Sequence, residues 1–481
     1  MAPLSAQDAA HLLRRSGFGG GWGTAPNDLT ALTGMELTDA VELILSPVNV
    51  SSDAPPVEYS DPNQGDWQRV WALTLWWFER MRTARVTGRT SGAPQASPLQ
   101  EKMSLFWHSH FASSHDKVGN ATHMYDQHHA FRSLGLGRFE DLGVAVTSAP
   151  RACEAMLRYL DNDPNDKRKP NENLSRELME LFTMGVNNYT QDDVTAGARA
   201  WTGFNIDDSD AGNHTFRFYP ERHDTGMKTI LGVTAAWDGP GMVRHLCTGT
   251  AVNPVTGVAP SITTSRYLAR KIWGFFAYPI NSGDPLVESL AANWRTNGLD
   301  VTALLRDVFT RPEFFSTQAK RGLLRSPVEF ITAILRSTGL TVHQVKPWDI
   351  GEMGQQPFFP PNVAGWKQNS YWLSTSAAWY RTNYVQNSVR WAVNSRPSPK
   401  FLSQTGRDPV TRTYAMTPEQ AVDTALATCG ITEPAPGTRT RLVTWLTAQR
   451  AASNVAPYEW RDLEWLNLAT LVFLSPDFQL A

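Results

Sequence analysis

The sequence predicts a mainly α protein, a large multi-helical globular body with at most one small β-hairpin. Three observations carry this. Apolar residues recur at helical spacing through most of the chain, helix-start signatures of the Ser/Thr-Pro-x-Glu kind repeat, and alternating strand-like runs are few and short. In chain order, Ser5 caps an opening helix, "AQDAAHLLRR", with Asp8 three residues on and glycines after it. "LTDAVELILSP" starts in a similar way and ends at a proline. "DWQRVWALTLWWFERMRTA" and "SPLQEKMSLFWHSHFASS" are amphipathic, and the second pairs a Ser97 cap with Pro98 at the first helical position. A central helix runs from about Glu172, with Asn171 as its cap and Gly185 as its stop. "SPVEFITAILRSTG" combines a Ser326 cap, Pro327, Glu329 and a closing glycine, and "TPEQAVDTALATCG" (417–430) repeats that grammar. The best strands are "TFRFY" and "KTILGV", within 215–233.

At 481 residues the chain exceeds a usual single core. The expected division is a main helical body over 1–392 that holds the site, a flexible connection over 393–416, and a C-terminal helical segment over 417–481 packed on the main body. Polar or Pro/Gly-rich connections are also expected at 47–66, 86–97, 161–171 and 205–227. With 44 basic and 46 acidic residues and no basic stripe, a dedicated nucleic-acid binder is disfavoured. No window approaches ~18 uninterrupted apolar residues, so no membrane span is expected. The N-terminus lacks the basic head and apolar run of a secretory signal. The chain therefore stays in the cytoplasm, has lost a leader, or leaves with a partner. Cys153, Cys247 and Cys429 form neither a disulfide framework nor a metal knuckle and read as buried free thiols. Among 18 tryptophans, most should be core, while Trp107 and Trp366 are candidates for an aromatic wall against a sugar-like ligand.

The stretch "PNENLSRELMELFTMGVNNYTQDDV" (170–194) carries the densest polar chemistry. On a helix, Glu172, Arg176 and Glu180 fall at i, i+4 and i+8 and share one face, with Asn173, Glu177 and Glu180 on the next. Arg176 would hold one glutamate ionised while a second, against apolar walls, has its pKa raised. Two carboxylates so separated are the raw material of general acid–base catalysis. The competing reading is an exposed Glu–Arg–Glu ladder.

Six of the eleven histidines lie at 108–129, densest in "FWHSHF". His108 and His110 point nearly opposite ways on a helix and share one metal ion only if the segment is extended. His223 and Asp224, in "ERHDTGMK", are further contributors, and His108, His110 and His223 form the candidate ligand set for a divalent metal. "DNDPNDKRKPNE" imitates a calcium loop, but Asp166 stands where glycine is needed and three cations follow, so a turn and helix cap is the simpler reading. No Walker loop, G-x-G-x-x-G, G-x-S-x-G or H-E-x-x-H occurs.

These motifs resemble a bacterial family catalogued as domain of unknown function 1800. The resemblance spans nearly the whole chain and rests on "AAHLLRRSGFG", "KMSLFWHSHFASS", "MLRYLDNDPNDKRKPNENLSRELMELFTMGVNNYTQDDV", "ARAWTGF", "HDTGMKTILG", "PPNVAGW" and "LSPDFQ". It implies a polar signature at His108, His110, Asn171, Glu172, Asn173, Arg176, Glu177, Glu180, His223, Asp224 and Lys228, and an association with a sulfatase-like neighbour. It names no reaction.

The expectation is an enzyme, a hydrolase or transferase, using general acid–base chemistry on a polar, saccharide-like substrate. Glu177, Glu172, Arg176, His108 and His223 would be catalytic; Asn171, Asn173, Glu180, Asp224, Lys228, Trp107 and Trp366 would bind substrate. The alternatives are a metal-dependent oxidoreductase or hydrolase, and a non-catalytic helical scaffold for the sulfatase-like partner.

Overall fold

The computed structural model describes residues 3–19, 28–87 except five positions between 52 and 62, 96–209, 214–320, 322–394, 416–452 and 457–481. Helices make up most of it, and the local signals place them as expected. Ser5 Oγ accepts the Asp8 N–H at 3.0 Å at the head of helix Ala6–Arg15. Complete capping boxes start helices Pro327–Thr338 and Pro418–Thr428. Ser97 sits at the cap of helix Pro98–His110, but its buried hydroxyl makes no hydrogen bond among the described residues, so Pro98 alone sets that start. Residues 395–415, most of the expected connection, lie outside the described residues.

Two hydrophobic clusters form the interior. Helix Pro98–His110 runs between them, sending Leu99, Met103, Phe106 and Trp107 into the first and Leu105 into the second. All of its residues except Ser109 are buried. Two buried ion pairs hold its register: Glu101 meets Arg132 at 2.7 Å, and Lys102 meets Glu329, the acid of the Ser326 capping box. Breaking one partner of such a pair costs about 3–5 kcal/mol. The helix is therefore a fixed platform. Its one partly exposed residue, Ser109, marks where solvent reaches it.

The strands form two small hairpins, not one. β1 (Phe204–Asp207) pairs antiparallel with β2 (Thr215–Phe218), and β3 (Lys228–Ile230) with β4 (Val233–Ala235). The first expected run is strand β2, whereas "KTILGV" holds β3, its turn at Leu231 and Gly232 and the first residue of β4; β1, buried at three successive positions, shows no alternation. The central helix is α over Asn173–Glu177 and then widens to a π-turn over Leu178–Thr183.

Candidate functional site

The acids of the central helix divide into two environments. Glu172 and Arg176 form the exposed ladder: their side chains are each 37% exposed and meet at 2.9 Å, with Gln191 and Thr195 completing the Glu172 shell. The Gln191 amide, then Thr195 and Arg176, hold the Glu172 carboxyl below its usual range. Glu180 does not join them. The π-turn displaces it from the i+4 position, and it accepts the Tyr189 hydroxyl instead. Asn171 Oδ1 accepts the Asn173 N–H at 2.9 Å in a turn, but the helix cap falls on Glu172, one residue after the expected Asn171 and without a side-chain cap bond; Asn173 reaches Asp161 at 3.1 Å. The calcium-like loop resolves likewise into ion pairs, Asp161 with Lys117 and Asp163 with Arg158. Glu177 is the acid that differs. It is partly buried, and burial first, then the Glu180 charge, raises its carboxyl above the usual range.

The histidines point apart, as a helix requires. His108 Nε2 accepts the Phe358 N–H at 2.8 Å, which puts its proton on Nδ1, and burial pushes its pKa down to about 3. Trp77, Phe358 and Trp366 pack around it. It clamps the loop that follows Ile350 onto the helix. His110 Nε2–H donates to the Phe182 carbonyl at 3.0 Å, leaving Nδ1 to accept from Lys271 Nζ at 2.9 Å. His223 Nδ1–H donates to the Thr202 carbonyl at 2.7 Å.

The lone pairs of His108 and His110 are thus committed, and among the described residues no group of three or more His, Cys, Asp or Glu is placed to hold a metal ion. The proposed His108–His110–His223 ligand set does not converge. Nor does any hydrogen bond, ion pair or ring contact among the described residues link Glu177 or His223 to His108 or His110. Asp224 and Lys228 lock a turn: Asp224 pairs with Arg199 at 2.7 Å, and the buried Lys228 amine donates to the carbonyls of Asp224 and Gly226. Trp107 is wholly in the core, donating to the Gly135 carbonyl at 2.8 Å, and walls no ligand site.

What the structure does assemble is a cavity of about 290 Å³ at the C-terminal end of helix Pro98–His110. Phe106, Ser109 and His110 form one wall, Arg270 and Lys271 of helix Pro260–Phe276 a second, and Trp366, Gln368 and Asn369 a third. Gly365 seats the third wall. Its φ is +75°, and a Cβ there would lie 2.1 Å from the Ser109 carbonyl oxygen, so only glycine lets the chain approach and hang Trp366 at the rim.

No carboxylate lines this cavity, and among the described residues none pairs with Arg270 or Lys271. Burial, reinforced by the Arg270 charge, lowers the Lys271 amine to about 8. Burial and Lys271 hold His110 well below the usual imidazole value, hence neutral. An amine that loses a proton near neutrality, oriented by an imidazole acceptor beside a permanent cation, can move protons on a bound anion. His110 and Trp366 were among the sequence candidates; Lys271 and Arg270 were not. Their signal was the stripe Tyr267, Arg270, Lys271 and Gly274, which share one face of an amphipathic helix.

A family model described as "Protein of unknown function (DUF1800)" matches residues 11–480. None of the curated proteins and none of the solved structures compared with the chain matches it. With nearly the whole length matched, the chain belongs to the DUF1800 family of proteins of unknown function.

Proposed function

We propose that the chain is an acid–base enzyme that binds a polar, anionic, saccharide-like substrate in the His110–Lys271 cavity. One observation carries the reading: a lysine amine, hydrogen-bonded to a neutral histidine, lines a cavity that contains a second cation and no carboxylate. Arg270 pairs with the anion, Trp366 offers an apolar face to a sugar ring, and Gln368 and Asn369 supply amide partners for hydroxyls. Lys271 takes and returns the proton. His110 Nδ1 holds one amine N–H and so aims the nitrogen lone pair. The role first assigned to Glu177 passes to Lys271, because Glu177 borders none of the cavities described.

The test is binding of glucuronate against glucose, read by tryptophan fluorescence. A charge-assisted contact contributes about 1.5–3 kcal/mol, so glucuronate should bind roughly tenfold or more tighter, and Arg270→Gln should remove that preference. Equal binding of the two sugars, or a preference unchanged in Arg270→Gln, contradicts the reading.

A second reading has its own support. Trp348, Leu373 and Trp379 are 63%, 68% and 59% exposed on neighbouring elements, an unusual display of large apolar groups. That surface suits docking of a protein partner, for which the sulfatase-like neighbour is the candidate. Co-purification that is lost in Trp379→Ser supports it, and independent elution of the two proteins overturns it. No helix among the described residues is long and apolar enough to cross a membrane.

A further inference from the structure

We propose that the cavity is the cleavage subsite of a groove for uronate-bearing polysaccharides, and that the chain cuts them by β-elimination; this rests on the acid–base reading above. Three further cavities share lining residues with the first; the smallest, about 30 Å³, holds Glu329, whose carboxylate is already paired with Lys102, and the other two are large. One of about 530 Å³ shares Arg270 with it, and one of about 520 Å³ shares Ala364 and Trp366. Tyr267 lines the former, and Phe359 and Tyr371 the latter. Three hollows joined through shared lining residues, each with an aromatic side chain in its wall, suit successive sugar rings. Lys367 sits 5.7 Å above the Tyr371 ring and, like Arg270 and Lys271, has no carboxylate partner among the described residues.

None of these three hollows is lined by aspartate or glutamate. Glycoside hydrolysis of the common kinds needs two carboxyl groups flanking the bond, so that route has no groups here. A uronate offers another. Its C5 hydrogen lies α to a carboxylate and becomes removable once a cation neutralises that carboxylate.

Arg270 is placed to do this, being planar, bidentate and permanently charged. The Lys271 amine takes the C5 proton, and the C5–H electron pair becomes the C4=C5 double bond. The C4–O bond breaks, and the leaving oxygen takes the proton back from the Lys271 ammonium. No water, oxidant or metal enters the balance. One amine serves as base and then acid, with His110 Nδ1 as its fixed acceptor throughout.

The experiment incubates the full chain with polygalacturonate, alginate, glucuronan and hyaluronate, each beside its carboxyl-reduced form. Ultraviolet absorbance of the unsaturated uronate and release of reducing ends are read together. Expected are both signals from at least one uronate polymer, neither from its reduced form, and a fall of roughly 100-fold or more in Lys271→Met, shown folded by circular dichroism. Lys367→Ala should raise KM for long chains.

Reducing ends without absorbance would mean hydrolysis, which overturns elimination while leaving the acid–base cavity standing. Binding that Lys271→Met weakens, with no cleavage of any polymer, also overturns elimination alone. No binding to any uronate polymer overturns both the substrate class and the reading beneath it.

Discussion

Removing the charge at Lys271 should make the protein more stable. The amine has an ordinary pKa of 10.5 and falls to about 8 in the fold, burial being the main cause and Arg270 the second. Each factor of ten in proton affinity is about 1.4 kcal/mol, so holding this amine charged disfavours the native state by roughly 3 kcal/mol. The groups facing it are His110 from helix Pro98–His110 and Arg270 and Tyr267 from its own helix. Below about pH 8 both folded and unfolded chains carry the proton, and the whole penalty is present. Between about 8 and 10.5 the unfolded chain still binds it and the folded chain does not, so stability rises with pH across that window.

Lys271→Met abolishes the penalty and leaves His110 Nδ1 without its donor, a loss of about 1 kcal/mol. The variant should therefore gain about 2 kcal/mol at pH 7, and the gain should disappear by pH 10. Urea denaturation of both proteins at the two pH values measures this. A variant less stable than wild type at pH 7 would refute the reasoning, since it would make Lys271 an ordinary structural cation.

Four further outcomes are expected. His108, neutral in the fold and lowered to about 3, makes stability fall as pH drops from 6.5 towards 3, by up to about 4 kcal/mol; His108→Gln keeps an acceptor for Phe358 and should flatten that acid limb of the denaturation profile. Gly365→Ala forces the loop off the Ser109 carbonyl, and fluorescence titration should show ligand binding weakened together with a lower denaturation midpoint. Lys228→Met leaves the carbonyls of Asp224 and Gly226 without their donor and should cost about 2–4 kcal/mol in urea. Glu172→Ala breaks only an exposed ladder, so calorimetry should find stability within about 0.5 kcal/mol of wild type.

Features decided by neighbours in the chain were legible in the sequence. Ser326, Pro327 and Glu329 lie within one turn, and their capping box forms as written. His108 and His110 sit on a helix and therefore diverge, which the two-residue spacing already implied. The π-turn at Leu178–Thr183 was not legible, because nothing in "LMELFT" asks for it. Its carbonyls are instead held from outside, Leu181 by the Tyr267 hydroxyl and Phe182 by His110. That turn carried Glu180 away from Arg176 and broke the expected acidic face.

Trp107 and Trp366 look alike in sequence; one faces the core and the other a cavity only because a loop 250 residues beyond His108 folds back onto it at Phe358. Lys271 was missed for the same reason. A lone lysine on an amphipathic helix reads as solvated surface until the partner helix supplies His110.

The most direct measurement is the titration of the Lys271 amine itself, followed by nuclear magnetic resonance of the ¹³C-labelled side chain with and without oligogalacturonate. A midpoint of about 8 in the free protein, moving upward when the carboxylate-bearing ligand binds, is the predicted result. A midpoint near 10.5 that ignores the ligand would contradict it, since the amine would then neither release a proton near neutrality nor lie beside the bound anion.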